Sequence, residues 1–394
     1  MEVLTVKDGA MTHQEGLNNV LYNKVNRMLE NKATTVQETI EKIEKDGKML
    51  VDYIKPIGTN LKKIGATPEV VFSANGSVNM EFTARTGQDE YELEHMTIHD
   101  NAIGQLASKF GVPTRYLRDL AGGNEWQRNL ASQILNQHCE NTERSRMLIR
   151  CVGNQVRGVL SDSYRRLNST EILIAFLQEA INCNAAIADA HYTDTKIYVE
   201  TILPTPIEIP TAKNGTVVLF AGARFSTSDF GDGALDMKSF LLNGACLNGM
   251  VRETQMRQIH LGSRLNDNLL LSQRTYELDT KTQVSAVKDV TKYLYDRNTI
   301  LAKAMEIEAA SEVEVDASKE LKALAKNGKL YKQESEEIEK ILVQSNPDDG
   351  VQGQSTLWKL TQAITAHART VEPQRTRELH EISGQLLDRI KNRK

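Results

Sequence analysis

The stretch RSRMLIRCVGNQVRGVLSDSYRRL, residues 144–167, decides the fold of the central part of the chain. Residues 147–152 and 155–160 are both rich in the apolar and β-branched side chains that favour strands. Gly153 and Asn154 separate the two runs, and this pair accepts the positive φ angles of a two-residue turn. The pattern predicts an antiparallel hairpin.

The same stretch is strongly basic in a chain whose formal net charge is -4. Its only acid is Asp162, so six arginines leave a local excess of +5. Because alternate residues of a strand share a face, the arginines at 144, 146 and 150 would point the same way. We expect them to form an exposed surface for nucleic acid, with Tyr164 stacking on bases. The predicted contact residues are Arg144, Arg146, Arg150, Arg157, Tyr164, Arg165, Arg166, Arg224 and Arg252.

The sequence outside the hairpin indicates helices, then strands, then helices again. Apolar residues recur at helical spacing over 14–54, where Thr35 and Glu38 form a capping-box signature for a second helix. Residues 68–84 predict a β pair around Asn75-Gly76. Strand-like runs between 185 and 251 are expected to join the hairpin in one sheet, and residues 284–392 have helical character.

This order favours the α+β class, with a central, mainly antiparallel β-rich body between helical N-terminal and C-terminal regions. The predicted units are a helical N-terminal arm at 1–60, an α+β core with the arginine-rich hairpin at 61–275 and a helical region at 276–394.

Catalytic and cofactor motifs are missing from the sequence. There is no phosphate-binding glycine loop, dinucleotide fingerprint, zinc-protease motif or nucleophile elbow. The four cysteines are widely spaced, which predicts reduced thiols rather than a zinc site or disulfides. Asp229, Asp232 and Asp236 lie in a glycine-containing turn that could hold magnesium, but a solvated turn is favoured. We therefore expect no enzyme activity, no catalytic residue, no metal and no cofactor.

A second candidate for nucleic-acid contact is the segment IGQLASKFGVPTRYLRDL, residues 103–120. A small residue, a glycine turn and inward apolar residues have the spacing of a helix-turn-helix, which would place Arg115 and Arg118 on the second helix. An ordinary helical corner explains the same pattern, because Gly-Val-Pro ends a helix without any DNA-binding role.

Four short segments together resemble a phage/plasmid-like family of unknown function that is widespread in bacterial viruses and mobile elements. The resemblance covers roughly residues 95–370 and depends on the order of the segments. The matching residues are Ser161, Asp162, Tyr164 and Arg165, then Ser228, Asp229 and Gly233, then Cys246, Asn248 and Gly249, and finally Trp358, Ala363 and Thr365. The resemblance implies a mobile-element origin and a bacterial cytoplasm, and supplies no activity.

Three functions fit these features. The first is an ATP-independent, homo-oligomeric single-strand-binding protein of the annealing type used in recombination, with single-stranded DNA as the expected partner. The second is a duplex-DNA-binding regulator that reads DNA with residues 103–120. The third is a non-enzymatic assembly protein whose arginines form salt bridges. No apolar run is long enough to suggest a membrane span, so a cytoplasmic protein is expected.

Overall fold

The computed structural model describes residues 2–7, 10–15, 19–57, 69–72, 78–85, 91–142, 146–247, 249–260 and 271–388. The fold belongs to the α+β class, with two mainly antiparallel sheets and helices packed around them. The described helices are α1 (Asn19–Lys48), α2 (Asp100–Phe110), α3 (Thr114–Ala121), α4 (Glu125–Asn141), α5 (Ser169–Asn182), α6 (Gln273–Leu294), α7 (Arg297–Glu312), α8 (Ala317–Lys326), α9 (Lys332–Gln344), α10 (Leu357–Ala368) and α11 (Pro373–Leu387).

The first sheet has eight strands, in the order β14-β13-β12-β11-β1-β2, with β10 and β9 added beside β12. The long strand β12 pairs with β11 through its first residues and with β10 through its last ones. Strands β1 and β11 run parallel. The strands of this eight-stranded sheet are β1 (Glu2–Lys7), β2 (Ala10–Glu15), β9 (Ala186–Tyr192), β10 (Ile197–Ile202), β11 (Ile207–Thr211), β12 (Gly215–Thr227), β13 (Leu235–Asn243) and β14 (Gly249–Gln258).

The second sheet has six strands, in the order β3-β7-β8-β6-β5-β4. It contains the predicted hairpin, whose turn lies at Gly153-Asn154 with Gly153 at φ +55°. The β pair predicted around Asn75-Gly76 is also present as β4 and β5, although residues 73–77 themselves lie outside the described residues. The strands of this six-stranded sheet are β3 (Leu50–Pro56), β4 (Glu69–Phe72), β5 (Val78–Arg85), β6 (Tyr91–Ile98), β7 (Arg146–Val152) and β8 (Gln155–Ser161).

The expectation that the hairpin shares a sheet with strands from 185–251 is wrong. Strands β7 and β8 pair with β3 and β6, whereas β9 to β14 form the other sheet. Strand β3 lies about a hundred residues before the hairpin in the chain. It pairs with β7 in the sheet, where Asp52 lies opposite Arg150. Long-range pairing of this kind leaves no signal in a local pattern.

The predicted helical arm at 1–60 is correct only in part, since the described residues of this range contain strands β1, β2 and β3 as well as helix α1. Helix α1 runs unbroken past Thr35, and the capping-box signature there starts no second helix. Val25, Val36 and Ile43 are buried along its length against the eight-stranded sheet and α5. Burial of this continuous stripe stabilises one long helix more than a local cap stabilises a break. The described C-terminal region is mainly helical, as predicted, and its first helix begins at Gln273, slightly before the predicted boundary at 276.

Candidate nucleic-acid interface

Arg150 is the central charged residue of the hairpin and is buried rather than exposed. Its side chain is only 3% exposed, and its Nε donates to Asp52 of β3 at 2.7 Å. Its Nη1 donates to the carbonyl of Asp229, at the end of β12, at 2.6 Å. Burial alone would lower the pKa of Arg150, but the two aspartates raise it, so the guanidinium stays charged. Arg150 thus joins the two sheets.

Arg157 occupies a β-bulge, because Arg150 faces Gly158 while Cys151 faces Val156. The extra residue directs the guanidinium towards α1, where Nη1 donates to Asp46 at 2.5 Å. The same nitrogen donates to the Tyr192 hydroxyl at 2.9 Å and to the Asp194 carbonyl at 3.0 Å, both from the eight-stranded sheet and its turn. Arg157 is therefore a second buried link between the sheets.

The remaining described arginines of the stretch are also engaged. Arg146 pairs with Asp162 at 3.2 Å. Arg165 donates both Nε and Nη2 to Asp279 of α6, a bidentate pair that fixes the loop before α5 against that helix. Arg166 lies 3.8 Å from Asp52 and stacks over the Tyr276 ring, with its guanidinium carbon 4.7 Å from the ring centre.

Arg224 and Arg252, which belong to the eight-stranded sheet, also form ion pairs with carboxylates. Arg224 of β12 lies opposite Glu200 of β10 and donates to its carboxylate. Arg252 of β14, whose side chain is fully buried, donates to Glu306 of α7 and to the carbonyl of Gly384 in α11. Each arginine fixes a neighbouring strand or helix.

The expected exposed arginine surface is consequently absent from the described residues. Arg144 lies outside them. Tyr164 is buried as well, stacked 5.4 Å from His260 with its hydroxyl donating to the Ser228 carbonyl, so it presents no face to a base. The physical reason is that a guanidinium inside a protein requires an anion, and every one of these arginines has a carboxylate within 4 Å.

The acidic turn is solvated only in part: Asp232 is exposed, whereas Asp229 and Asp236 are held by contacts inside the fold. Asp229 accepts hydrogen bonds from the Ser169 hydroxyl and backbone, and burial raises its pKa despite the nearby Arg150. Asp232 accepts from Thr195, and Asp236 pairs with Lys238. Within the described ranges no cluster of three or more histidine, cysteine, aspartate or glutamate residues could hold a metal ion.

The family-like segments meet in pairs. The first two converge where Tyr164 contacts Ser228, beside the contact of Arg150 with Asp229. The loop containing Cys246 meets α10, because Asn243 donates to Gln362 at 2.7 Å and the Cys246 thiol lies 4.0 Å from the same oxygen. Asn248 lies outside the described residues. These segments are therefore parts of the core where distant elements join.

The predicted helix pair at 103–120 is present as α2 and α3. Gly111 ends α2 with φ +69°. Leu117 and Leu120 face the core, whereas Arg115, Tyr116 and Arg118 are exposed on α3. Arg118 lies 3.3 Å from Asp100, a pair so exposed that it contributes little stability. Helix α3 therefore exposes Arg115 and Arg118, as the helix-turn-helix hypothesis requires.

A basic surface that the sequence patterns did not indicate lies on α1. We call it the α1 groove: a groove of ≈ 730 Å³ lined by Val20, Asn23, Lys24, Arg27, Met28, Asn31, Lys32 and Leu247. Three of its eight described lining residues are cationic and none is acidic. Lys32 also pairs with Asp189 at 3.0 Å, with both side chains 44% exposed. Arg27 has no ion-pair partner within the described part of the chain.

The groove residues other than Leu247 lie on α1 at the spacing i, i+3, i+4, i+7, i+8, i+11 and i+12 from Val20, which puts them on one face of the helix. Val20 is 76% exposed at its N-terminal end. The helical spacing of Lys24, Arg27 and Lys32 was therefore the available sequence signal. It was weaker than the arginine stretch because uncharged residues and Glu30 separate the cations.

Comparison of the chain with models of protein families, with curated proteins and with solved structures found no match. The resemblance to the phage/plasmid-like family stays an untested prediction. No helix within the described ranges is both long and apolar enough to cross a membrane.

Proposed function

We propose that the protein binds single-stranded nucleic acid without catalysing a reaction, as an annealing-type protein would, and that the α1 groove is the contact surface. The observation that carries this proposal is the set of three cations lining the groove without a carboxylate. Single-strand binding needs cations along the backbone path and surface for bases. Val20, Met28 and Leu247 supply apolar surface, and Asn23 and Asn31 supply amide groups.

The proposal differs from the sequence-based hypothesis in its residues. The arginines at 146, 150, 157 and 165 stabilise the fold and have carboxylate partners, so binding a phosphate would require breaking a partly or fully buried pair. Arg27 has no such partner among the described residues. Breaking the exposed ion pair of Lys32 with Asp189 would cost little free energy. Binding at α1 therefore leaves the core intact.

The test is a titration of labelled single-stranded DNA at several salt concentrations. In the variant Lys24→Ala/Arg27→Ala, we expect weaker binding for all sequences and a salt slope reduced by about 1.4, because each lost phosphate contact changes it by about 0.7. The matched control is Arg115→Ala/Arg118→Ala, which removes the same charge from exposed positions on α3. An unchanged slope in the α1 variant would contradict the proposal.

Duplex-DNA binding through α2 and α3 is a second candidate, favoured by the exposure of Arg115 and Arg118. In this case the α3 variant would lose affinity for duplex DNA in a sequence-dependent manner, whereas the α1 variant would not. Wild-type protein that binds neither single strands nor duplex at low salt would exclude both candidates and favour the assembly role.

A further inference from the structure

A polar cleft of ≈ 690 Å³ lies between three parts of the chain, and none of its lining residues belongs to the α1 groove. One wall is the end of α1 and the edge strand β3, the second is the loop at 166–168 with the start of α5, and the third is the first half of α6. The volume is within the range of small-molecule sites. Its charged lining residues are Asp52, Arg150, Arg166, Glu171, Glu277 and Lys281.

Of the two arginines in this cleft, Arg166 is the one whose guanidinium lacks a hydrogen bond to a carboxylate. Asp52 is shared between two guanidiniums: it accepts a hydrogen bond from Arg150 at 2.7 Å but lies 3.8 Å from Arg166, beyond hydrogen-bond distance. The Nε of Arg166 is buried without a hydrogen-bond partner among the described residues. Stacking on Tyr276 holds the guanidinium plane in place. A fixed, planar cation of this kind is suited to an anion with two oxygens.

The charge balance of the cleft selects the class of anion. Three carboxylates and three cations line it, so its formal charge is zero. A phosphate would add about two negative charges beside Glu171 and Glu277, which are exposed at the rim. A carboxylate adds one, and a cationic group on the same ligand would pair with the rim glutamates.

The geometry points to a binding site for a carboxylate ligand that also carries a cation, with Arg166 as the residue that holds the carboxylate. Such a ligand is either a free amino acid or the C-terminal residue of a basic peptide. Strand β3 ends the sheet order of the described strands, so one of its edges has no strand partner there and could pair with peptide backbone.

The experiment is calorimetric titration of the full chain with L-lysine, with lysinamide, and with a hexapeptide ending in lysine in its free and amidated forms. We expect at least one free carboxylate to bind and its amide to bind about tenfold more weakly, which matches the loss of one charge-assisted hydrogen bond. Binding of lysine alone identifies a free amino acid, and binding of the peptide alone identifies a chain terminus.

Two variants connect binding to the cleft. Arg166→Gln should remove the preference for the carboxylate over its amide, and Tyr276→Leu should weaken carboxylate binding without changing any charge. Arg115→Gln, at an exposed position on α3, is the matched control and should bind as the wild type does. If Arg166→Gln fails to fold, the Tyr276→Leu variant and the comparison of each free carboxylate with its amide still test the proposal. Equal binding of lysine and lysinamide, tighter binding of inorganic phosphate, or no binding of any carboxylate at about 10 mM would overturn the proposal.

Discussion

At the scale of single residues, burial determines which groups remain charged. Arg150 stays charged because Asp52 and Asp229 lie beside it, whereas His260 lies beside Arg150 and Arg165 and has no carboxylate partner among the described residues. Its ring is 3% exposed, stacks on Tyr164 and has an Nδ1 contact of 3.3 Å with the Arg165 carbonyl. Burial, supported by the two arginines, lowers its pKa to about 4. His260 is therefore neutral in the folded protein at neutral pH.

The first prediction concerns the pH dependence that His260 causes. The unfolded chain binds a proton at this residue below about pH 6.5, and the folded protein does so only near pH 4, so stability is lost as the pH falls through this window. The loss at pH 5 is about 2 kcal/mol. We expect His260→Phe, which keeps a ring against Tyr164, to reduce the stability difference between pH 7.5 and pH 5 by this amount in urea unfolding.

The control for this prediction is His138→Phe, which makes the same substitution at an exposed position on α4. A His260→Phe variant that loses as much stability on acidification as the wild type would assign the acid sensitivity to other groups. His380, whose pKa burial also lowers, would then be the next residue to replace.

At the scale of elements, the hairpin turn is determined locally. Gly153 has φ +55°, and a Cβ built there would meet no atom within 4 Å, so the cost of a side chain comes from backbone conformation alone. We expect Gly153→Ala to destabilise the protein by about 1 kcal/mol. Gly104→Ala also meets open space, but in the interior of α2, and should stabilise the protein by about 0.5–1 kcal/mol. Thermal unfolding of both variants checks the opposite signs, and shifts in the same direction would contradict this account.

The sequence could predict the elements that depend on neighbouring residues, but not those that depend on distant strands. The turn at Gly153-Asn154 and the corner at Gly111 depend on neighbouring residues, and both agree with the predictions. Strand β1 pairs in parallel with β11, and β3 pairs with β7, across long stretches of chain. Such strands are stabilised by partners that a local pattern does not contain. The N-terminal region was therefore predicted as helix alone.

The arginines were misjudged for the same physical reason. Within residues 144–167 they have one acidic neighbour, but in the fold Arg150, Arg157 and Arg165 meet acids 98, 111 and 114 positions away. Cations that are neighbours in sequence form ion pairs at different places in the fold, and Arg150 and Arg166 share Asp52. The α1 groove shows the converse, because its cations are spread along the sequence and come together only on the helix face.

At the scale of the whole molecule, these ion pairs hold the two sheets in one unit. Arg157 connects β8 of the six-stranded sheet with Asp46 of α1 and with Tyr192 of the eight-stranded sheet. Arg150 makes a second link, to the turn after β12. Since removing one partner leaves a buried charge without compensation, the loss at such a site is larger than at an exposed arginine.

The last prediction is that Arg157 maintains cooperative unfolding. We expect Arg157→Ala to cost about 3–5 kcal/mol, because Asp46 is left buried without its cation. Calorimetry should then show two transitions, or a measured enthalpy above the van't Hoff value, as the two sheets unfold separately. Asp46→Asn is the milder variant, since it keeps the shape and removes only the charge. Arg115→Ala is the matched control and should change stability by less than about 0.5 kcal/mol. If Arg157→Ala lowers the midpoint but keeps one two-state transition, apolar contacts between the sheets, rather than the arginines, make the molecule a single cooperative unit.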